Sequence, residues 1–135
     1  WCAVRWVHEL VGREGARGVP SERIIVAGFS QGGAVSFEAA LTYPKTLAGI
    51  MALSTYFATA DSIEINPIQN TIPVMIGHGS LDPVVAEALG RKSVATLQNL
   101  GFNPEYFVYT MEHAVCPQEI VDIGAWIGGT LSAAP

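Results

Sequence analysis

A short apolar run followed at once by a glycine-flanked turn is the feature that most constrains the fold of this chain. Residues 24–27 read Ile-Ile-Val-Ala, and such an unbroken β-branched run is typical of a strand buried on both faces, as in a parallel sheet. The pentapeptide Gly-Phe-Ser-Gln-Gly at positions 28–32 follows directly, and the Ala-rich residues 32–43 predict a helix that ends at Pro44. The sequence therefore predicts a strand, a sharp turn and a helix in immediate succession.

Apolar runs and helical patterns alternate along the rest of the chain. Further strands are predicted at residues 48–53, 73–77 and 105–109, and further helices at residues 1–14, at residues 84–100 and from Pro117 onward. Strands that alternate with helices predict a parallel sheet with right-handed crossovers. We therefore expect one α/β domain over residues 1–135, with a mainly parallel four-stranded sheet and flanking helices.

Handedness and periodicity also predict how the helices lie on the sheet. The helices at 32–43 and 84–100 fall on one face, and only the last helix returns to the other face, which is therefore thinly covered. The strand at 24–27 lies at an edge of this sheet and offers unpaired backbone groups. Helical spacing predicts three sets of buried side chains: Val4, Val7 and Val11; Leu89, Leu97 and Leu100; and Ile120, Ile127 and Leu131.

Composition excludes several classes of partner. The net charge is -5 and the seven Lys and Arg residues form no run, so neither nucleic acid nor an anionic membrane surface is expected as a partner. No apolar stretch has the length of a membrane span. Cys2 and Cys116 share no metal-ligand spacing with the histidines, so we expect no metal, no disulfide and a cytoplasmic location. The chain opens with Trp1 rather than Met, as expected of a processed, amplified or truncated product.

Ser30 is the candidate nucleophile of the turn at positions 28–32. Gly-x-Ser-x-Gly between a strand and a helix is typical of a strained turn that projects the serine oxygen, with Gly28 and Gly32 leaving no Cβ to clash. The backbone N–H of Gln31 would point toward negative charge that develops on a substrate oxygen. A simple glycine-rich turn is the alternative, and the flanking strand and helix favour the nucleophile.

Asp82 and His113 complete a candidate triad with Ser30. Each follows a predicted strand, and the carboxyl ends of parallel strands meet at one edge of the sheet. The chain order Ser, Asp, His is that of the α/β-hydrolases, in which the histidine accepts the serine proton and the carboxylate holds the imidazole. Taken alone, Asp82 could be a turn residue before Pro83 and His113 an exposed loop residue; their joint placement favours catalysis.

Three other residues with reactive side chains receive different predictions. His78, beside Gly79 after the third strand, lies near the predicted site, and we favour a structural hydrogen-bonding role over a catalytic one. Cys116 is expected to pack as a small apolar group at the start of the last helix. His8 is placed on the polar face of the first helix and is given no role.

These motifs resemble the phospholipase/carboxylesterase family, which includes bacterial carboxylesterases and acyl-protein thioesterases. The resemblance runs over nearly the whole chain. It rests on Gly28-Phe29-Ser30-Gln31-Gly32-Gly33, on His78-Gly79 with Asp82-Pro83-Val84-Val85, and on Met111, His113, Val115, Cys116, Glu119 and Ile120. The segment Leu53-Ser54-Thr55-Tyr56 is more similar to the bacterial branch.

The resemblance implies a partial α/β-hydrolase fold and hydrolysis of short- to medium-chain acyl esters, or thioesters, without metal or cofactor. Ser30, Asp82 and His113 would form the triad, and Gln31 would supply the first oxyanion N–H. Thr110 and Glu112 stand where the family usually has Pro and Gly. The family's second oxyanion donor lies in a His-Gly loop on earlier strands, which this chain lacks, and losing one donor costs roughly a hundred- to a thousandfold in rate.

Two functional hypotheses follow. The first is an active serine carboxylesterase that takes a small-molecule ester. The second is a truncated, catalytically impaired hydrolase half that acts as a self-associating or interaction module. In either case the exposed edge strand and the thinly covered face predict a homo-oligomer.

Overall fold

Strands and helices alternate along residues 2–134, the part of the chain that the structure, a computed structural model, describes. Trp1, the first residue of the predicted opening helix, lies outside it. The elements are α1 (Cys2–Ala16), β1 (Ile25–Phe29), α2 (Gln31–Thr42), β2 (Gly49–Leu53), β3 (Val74–Gly79), α3 (Glu87–Asn99), β4 (Glu105–Tyr109) and α4 (Pro117–Ala133). Two short 3-10 turns lie at Ser21–Arg23 and Pro67–Gln69.

The four strands form one parallel sheet in the order β1-β2-β3-β4. The register pairs Phe29 with Leu53, and Gly79 with Tyr109, so the carboxyl ends of all four strands lie at the same edge of the sheet. This confirms the α/β fold class and the mainly parallel four-stranded sheet with flanking helices. The loops that follow β1, β3 and β4 therefore converge, and they carry the candidate site residues.

The sheet separates two apolar clusters, as the alternation of side chains along a strand requires. On one face, Val11 of α1, Phe37 of α2 and Leu97 of α3 pack with Ile50 and Ile76 of the central strands. On the other face, Trp126 of α4 packs on Met51, Leu53 and Met75. Three helices thus cover one face and α4 alone covers the other, which confirms the distribution predicted from handedness.

Strand β1 is the thinly covered part of the sheet. Every residue of β2 and β3 is buried, whereas Ala27 and Phe29 of β1 are exposed. Both lie on the α4 side, because Val26 packs into the opposite cluster. Within residues 2–134, strand β1 pairs with β2 alone, so an apolar strip borders an unpaired strand edge.

The predicted buried faces of α3 and α4 are wrong in part. Leu97 is fully buried, but Leu89 is 39% exposed and Leu100 is 48% exposed. The face of α3 that meets the sheet carries Gly90 and Ser93 instead. The physical reason lies in their partners: Gly90 packs against the His78 ring, and the Ser93 hydroxyl accepts a hydrogen bond from the Phe57 N–H at 2.8 Å.

Similar corrections apply to α1 and α4. In α4, Ile127 packs against the Trp126 cluster, but Ile120 is 61% exposed. In α1, His8 lies against α2 rather than on a polar face. Its Nε2 is 2.7 Å from the Ala39 carbonyl oxygen, and its ring meets that of Tyr43 edge to face. His8 therefore helps to join α1 to α2.

Candidate active site

Ser30 lies on a strained turn between β1 and α2. Its backbone has φ 56° and ψ -121°, a conformation that is costly for a residue with a Cβ and that persists only where the surroundings enforce it. The Ser30 N–H donates to the Leu53 carbonyl oxygen at 2.9 Å, which extends the pairing of β1 with β2. The turn is so tight that a Cβ at Gly28 would overlap the Gly32 carbonyl group.

The glycines that the turn requires differ in part from those predicted. Gly28 has the expected steric role, but a Cβ at Gly32 would meet no atom within 4 Å. Gly33 is the second constrained position, because a Cβ there would overlap the Thr55 side chain. Close packing of α2 on the loop after β2 thus requires a glycine at position 33, whereas no steric contact requires one at position 32.

The structure brings Ser30, His113 and Asp82 together in one hydrogen-bonded chain. Ser30 Oγ lies 3.1 Å from His113 Nε2, and His113 Nδ1 lies 2.7 Å from Asp82 Oδ2. A carboxylate can only accept, so Nδ1 carries a proton and the Nε2 lone pair faces the serine hydroxyl. This arrangement can remove a proton from Ser30 and hold the resulting imidazolium against a negative charge.

The carboxylate of Asp82 is fixed on both sides. Its Oδ1 accepts hydrogen bonds from the N–H groups of Val84 at 2.8 Å and Val85 at 2.9 Å. Burial alone would raise the pKa of this carboxyl, but the bonds from His113 and from the two N–H groups outweigh burial and hold the pKa below its usual value. Asp82 is therefore ionised at neutral pH.

The loop that carries His113 is docked on the loop that carries Asp82. Leu81 N–H donates to the Met111 carbonyl oxygen at 3.0 Å, and a Cβ at Gly79 would overlap the carbonyl groups of Met111 and Glu112. The Phe29 ring lies against the imidazole, with ring centroids 4.8 Å apart. These contacts orient the histidine despite the Thr110 and Glu112 substitutions in its loop.

Gln31 is the first residue of α2. A backbone N–H at this position has no partner within its own helix, and the helix dipole places positive charge there. The residue directly follows Ser30, so its N–H is suited to contact an oxygen on a carbon placed next to Ser30 Oγ.

A cavity of about 420 Å³ opens beside Ser30. Its lining contains no charged side chain, and it reaches α1, α2 and the loops after β2 and β3. The lining residues other than Ser30 are Ala3, Gln31, Ala34, Val35, Thr55, Tyr56, Ala58 and Val85. The cavity is suited to an uncharged, mainly apolar group bound beside the Ser30 hydroxyl.

Glu119 is a buried acidic residue that sequence reasoning matched only as part of a motif. It lies in the first turn of α4, is fully buried, and neither carboxylate oxygen has a hydrogen-bond partner in the part of the chain that the structure describes. Burial, and to a smaller extent the charge of Asp122, raise its pKa to about 7. The carboxyl fits because Gly77 of β3 has no side chain; a Cβ there would overlap it. An acidic residue in the first turn of a helix is common at the surface, so the sequence gives little sign of its complete burial.

The remaining reactive side chains lie outside this hydrogen-bonded chain. Cys116 is half-buried at the start of α4, and both cysteines are unpaired. Within residues 2–134, no group of three or more His, Cys, Asp or Glu side chains is arranged to hold a metal ion. None of the helices described is long and apolar enough to cross a membrane.

The parallel sheet and its strand-turn-helix at Ser30 are those of an α/β-hydrolase, and solved structures agree. SOBER1 of Arabidopsis thaliana matches with a TM-score of 0.87 at 28% identity, over 95% of this chain and 62% of that one. The sequence matches the phospholipase/carboxylesterase family over residues 2–130. The chain belongs to this family.

Two curated relatives illustrate the membership. A probable carboxylesterase of Oryza sativa subsp. japonica is 37% identical over 134 residues, which cover 97% of this chain and 50% of that protein. An acyl-protein thioesterase 1 of Mycosarcoma maydis is 41% identical over 122 residues, which cover 85% of this chain and 51% of that protein. The chain spans about half the length of the curated relatives it matches.

Proposed function

We propose that the chain is a serine carboxylesterase in which Ser30 is the nucleophile, His113 the general base and Asp82 the residue that orients His113. The observation that carries the proposal is the continuous hydrogen-bonded chain from Ser30 Oγ through the imidazole to Asp82 Oδ2. Family membership supports ester hydrolysis as the reaction class. The activity of a longer protein containing this chain is part of the same proposal.

The reaction proceeds in two halves. Ser30 Oγ attacks the ester carbonyl carbon while His113 Nε2 accepts the hydroxyl proton, and the Gln31 N–H stabilises the negative oxygen of the tetrahedral intermediate. The bond to the alcohol then breaks, the alcohol takes the proton from His113, and an acyl-enzyme remains on Ser30. Water repeats the attack with His113 as base, which releases the carboxylic acid and restores Ser30.

The substrate is proposed to be a small ester with an uncharged acyl group of short to medium length. The lining of the 420 Å³ cavity beside Ser30 supports this class, because Ala3, Ala34 and Val35 offer no partner to a charge. An oxygen ester is the simplest substrate, and a thioester of the same acyl group is the matched comparison.

A p-nitrophenyl butyrate assay tests the proposal. Purified chain is expected to release p-nitrophenol faster than a Ser30→Ala control, and a fluorophosphonate probe is expected to label Ser30. With Gln31 as the one identified oxyanion donor, turnover is expected to be about a hundred- to a thousandfold below that of a site with two donors. Equal release by the two proteins, together with no labelling of Ser30, would contradict the proposal.

A second proposal concerns self-association, the basis of the interaction-module alternative. The unpaired edge of β1 and the exposed Ala27 and Phe29 support a homo-oligomer that buries this strip. Size-exclusion chromatography with light scattering is expected to show a dimer or larger species, and a clean monomer at micromolar concentration would contradict it. We also propose a cytoplasmic location, which the two unpaired cysteines support.

A further inference from the structure

His78 occupies a position behind the candidate triad that no step of the proposed reaction uses. Its side chain is fully buried on β3, and its Nε2 lies 2.7 Å from the Val85 carbonyl oxygen. A carbonyl can only accept, so Nε2 carries the proton. Nδ1 has no hydrogen-bond partner among residues 2–134, and a proton there would leave a buried donor unpaired. The hydrogen bonds thus assign the Nε2–H tautomer.

The bond from His78 closes the turn that holds Asp82. Val85 donates its N–H to Asp82 Oδ1 at 2.9 Å and accepts from His78 through its carbonyl oxygen. The same Nε2 lies 3.6 Å from Asp82 Oδ2, the oxygen that faces His113. The His78 imidazole therefore links Val85, at the far end of the turn, to the sheet. It also places the partial positive charge of its N–H near Asp82 Oδ2, the carboxylate oxygen that bonds His113.

The opposite edge of the ring is held by α3. A Cβ at Gly90 would lie 2.6 Å from His78 Nδ1, closer than atoms can approach, so any side chain at position 90 would push the ring toward Asp82. Gly90 is itself buried near the start of α3, and a glycine within a helix costs about 1 kcal/mol relative to alanine. The space it leaves is filled by the histidine.

We propose that His78 is a positioning residue for Asp82: its Nε2–H holds the 82–85 turn so that Oδ2 meets His113 Nδ1. This inference rests on the proposed triad and adds to it a residue that touches neither substrate nor nucleophile. It also explains why β3 carries a fully buried histidine, and why a glycine lies opposite it in α3.

Two matched pairs of variants test the proposal in the full chain. His78→Gln can place an amide N–H where Nε2–H lies, whereas His78→Asn places its amide only at the Nδ1 position. Gly90→Ala displaces the ring, whereas Gly124→Ala is the control, because nothing lies within 4 Å of that helical glycine. Melting temperatures establish that each variant folds.

Two readouts separate positioning from general stability. The first is the rate of fluorophosphonate labelling at Ser30. This rate is expected to fall about a hundredfold in His78→Asn, as it does when a catalytic group is displaced, and to recover most of its value in His78→Gln. The second is the far-downfield proton NMR signal of His113 Nδ1–H, expected to be lost in His78→Asn and in Gly90→Ala and retained in the other two variants. A short charge-assisted hydrogen bond produces this signal whether or not Ser30 reacts.

The outcomes distinguish this inference from the proposed function. A wild-type chain that does not label at Ser30 and releases p-nitrophenol no faster than Ser30→Ala contradicts the proposed esterase, and the NMR signal then still decides the role of His78. Labelling and NMR signals that are equal in His78→Asn and His78→Gln overturn the positioning role. Should both His78 variants unfold, equal signals in Gly90→Ala and Gly124→Ala overturn it.

Discussion

Replacing Glu119 with Gln is expected to change how the stability of the fold depends on pH. The pKa of Glu119 is raised from an ordinary value of 4.5 to about 7 in the folded chain, so the folded state holds the proton more tightly than the unfolded state. The free energy of unfolding therefore falls as pH rises above the pKa of Glu119 in the unfolded chain. The loss is complete once pH exceeds the pKa of Glu119 in the folded chain. Each pKa unit corresponds to about 1.4 kcal/mol, so the loss is about 3 kcal/mol.

The glutamine variant removes this pH dependence. Gln cannot ionise, but its amide brings two N–H donors to a site where the glutamate oxygens have no partner, which costs about 1–3 kcal/mol at every pH. The quantity to measure is therefore the difference in free energy of unfolding between variant and wild type. What distinguishes the two proteins is how this difference changes with pH. This difference is expected to move by about 3 kcal/mol in favour of Gln between about pH 5 and about pH 8.

Urea denaturation at a fixed protein concentration measures this difference. Trp126 is buried in the apolar cluster between α4 and the sheet, so its fluorescence reports unfolding. Glu64→Gln, at an exposed position, is the control and is expected to leave the wild-type pH dependence unchanged. A stability difference between Glu119→Gln and wild type that stays constant from acid to alkaline pH would refute the reasoning.

Three further predictions follow from the site and the sheet edge. Asp82→Asn is expected to lower ester hydrolysis by roughly four orders of magnitude, because the amide favours the wrong imidazole tautomer; Asp61→Asn at an exposed position is the control, and a similar rate in both variants would argue against the triad. Ala34→Phe narrows the cavity beside Ser30 and is expected to lower hydrolysis of a hexanoate ester about tenfold more than that of an acetate ester. Steady-state rates on the two esters measure this difference, and an equal loss of rate on both would mean that the acyl group binds elsewhere. Ala27→Lys puts a charge on the exposed strip of β1, and light scattering is expected to show a shift toward monomer, whereas an unchanged mass would exclude this strip from the interface.

Much of the fold was accessible from the sequence because its strongest signals are local. The apolar run at residues 24–27 and the glycine-flanked turn after it define a strand and a helix without reference to the rest of the chain. Right-handed crossovers then arrange the strands and distribute the helices. The candidate triad follows from the same logic, since chain order and the carboxyl edge of the sheet place Ser30, Asp82 and His113 together.

The features that were missed depend on contacts between distant segments. Leu89 follows the helical pattern of α3, yet Gly90 and Ser93 are buried instead of it, because the His78 ring and the Phe57 N–H occupy that side of the helix. The steric need for Gly33 rather than Gly32 arises from Thr55, which lies on another loop. Complete burial of Glu119 likewise depends on the absence of a side chain at Gly77.

Mass spectrometry of the acyl-enzyme tests the central claim most directly. The chain is mixed with p-nitrophenyl butyrate, quenched in acid, weighed intact and mapped by peptide digestion, beside Ser30→Ala. We expect one butyryl group on the peptide that contains Ser30 and none on the control. An adduct on any other residue, or equal p-nitrophenol release without an adduct in either protein, would contradict it.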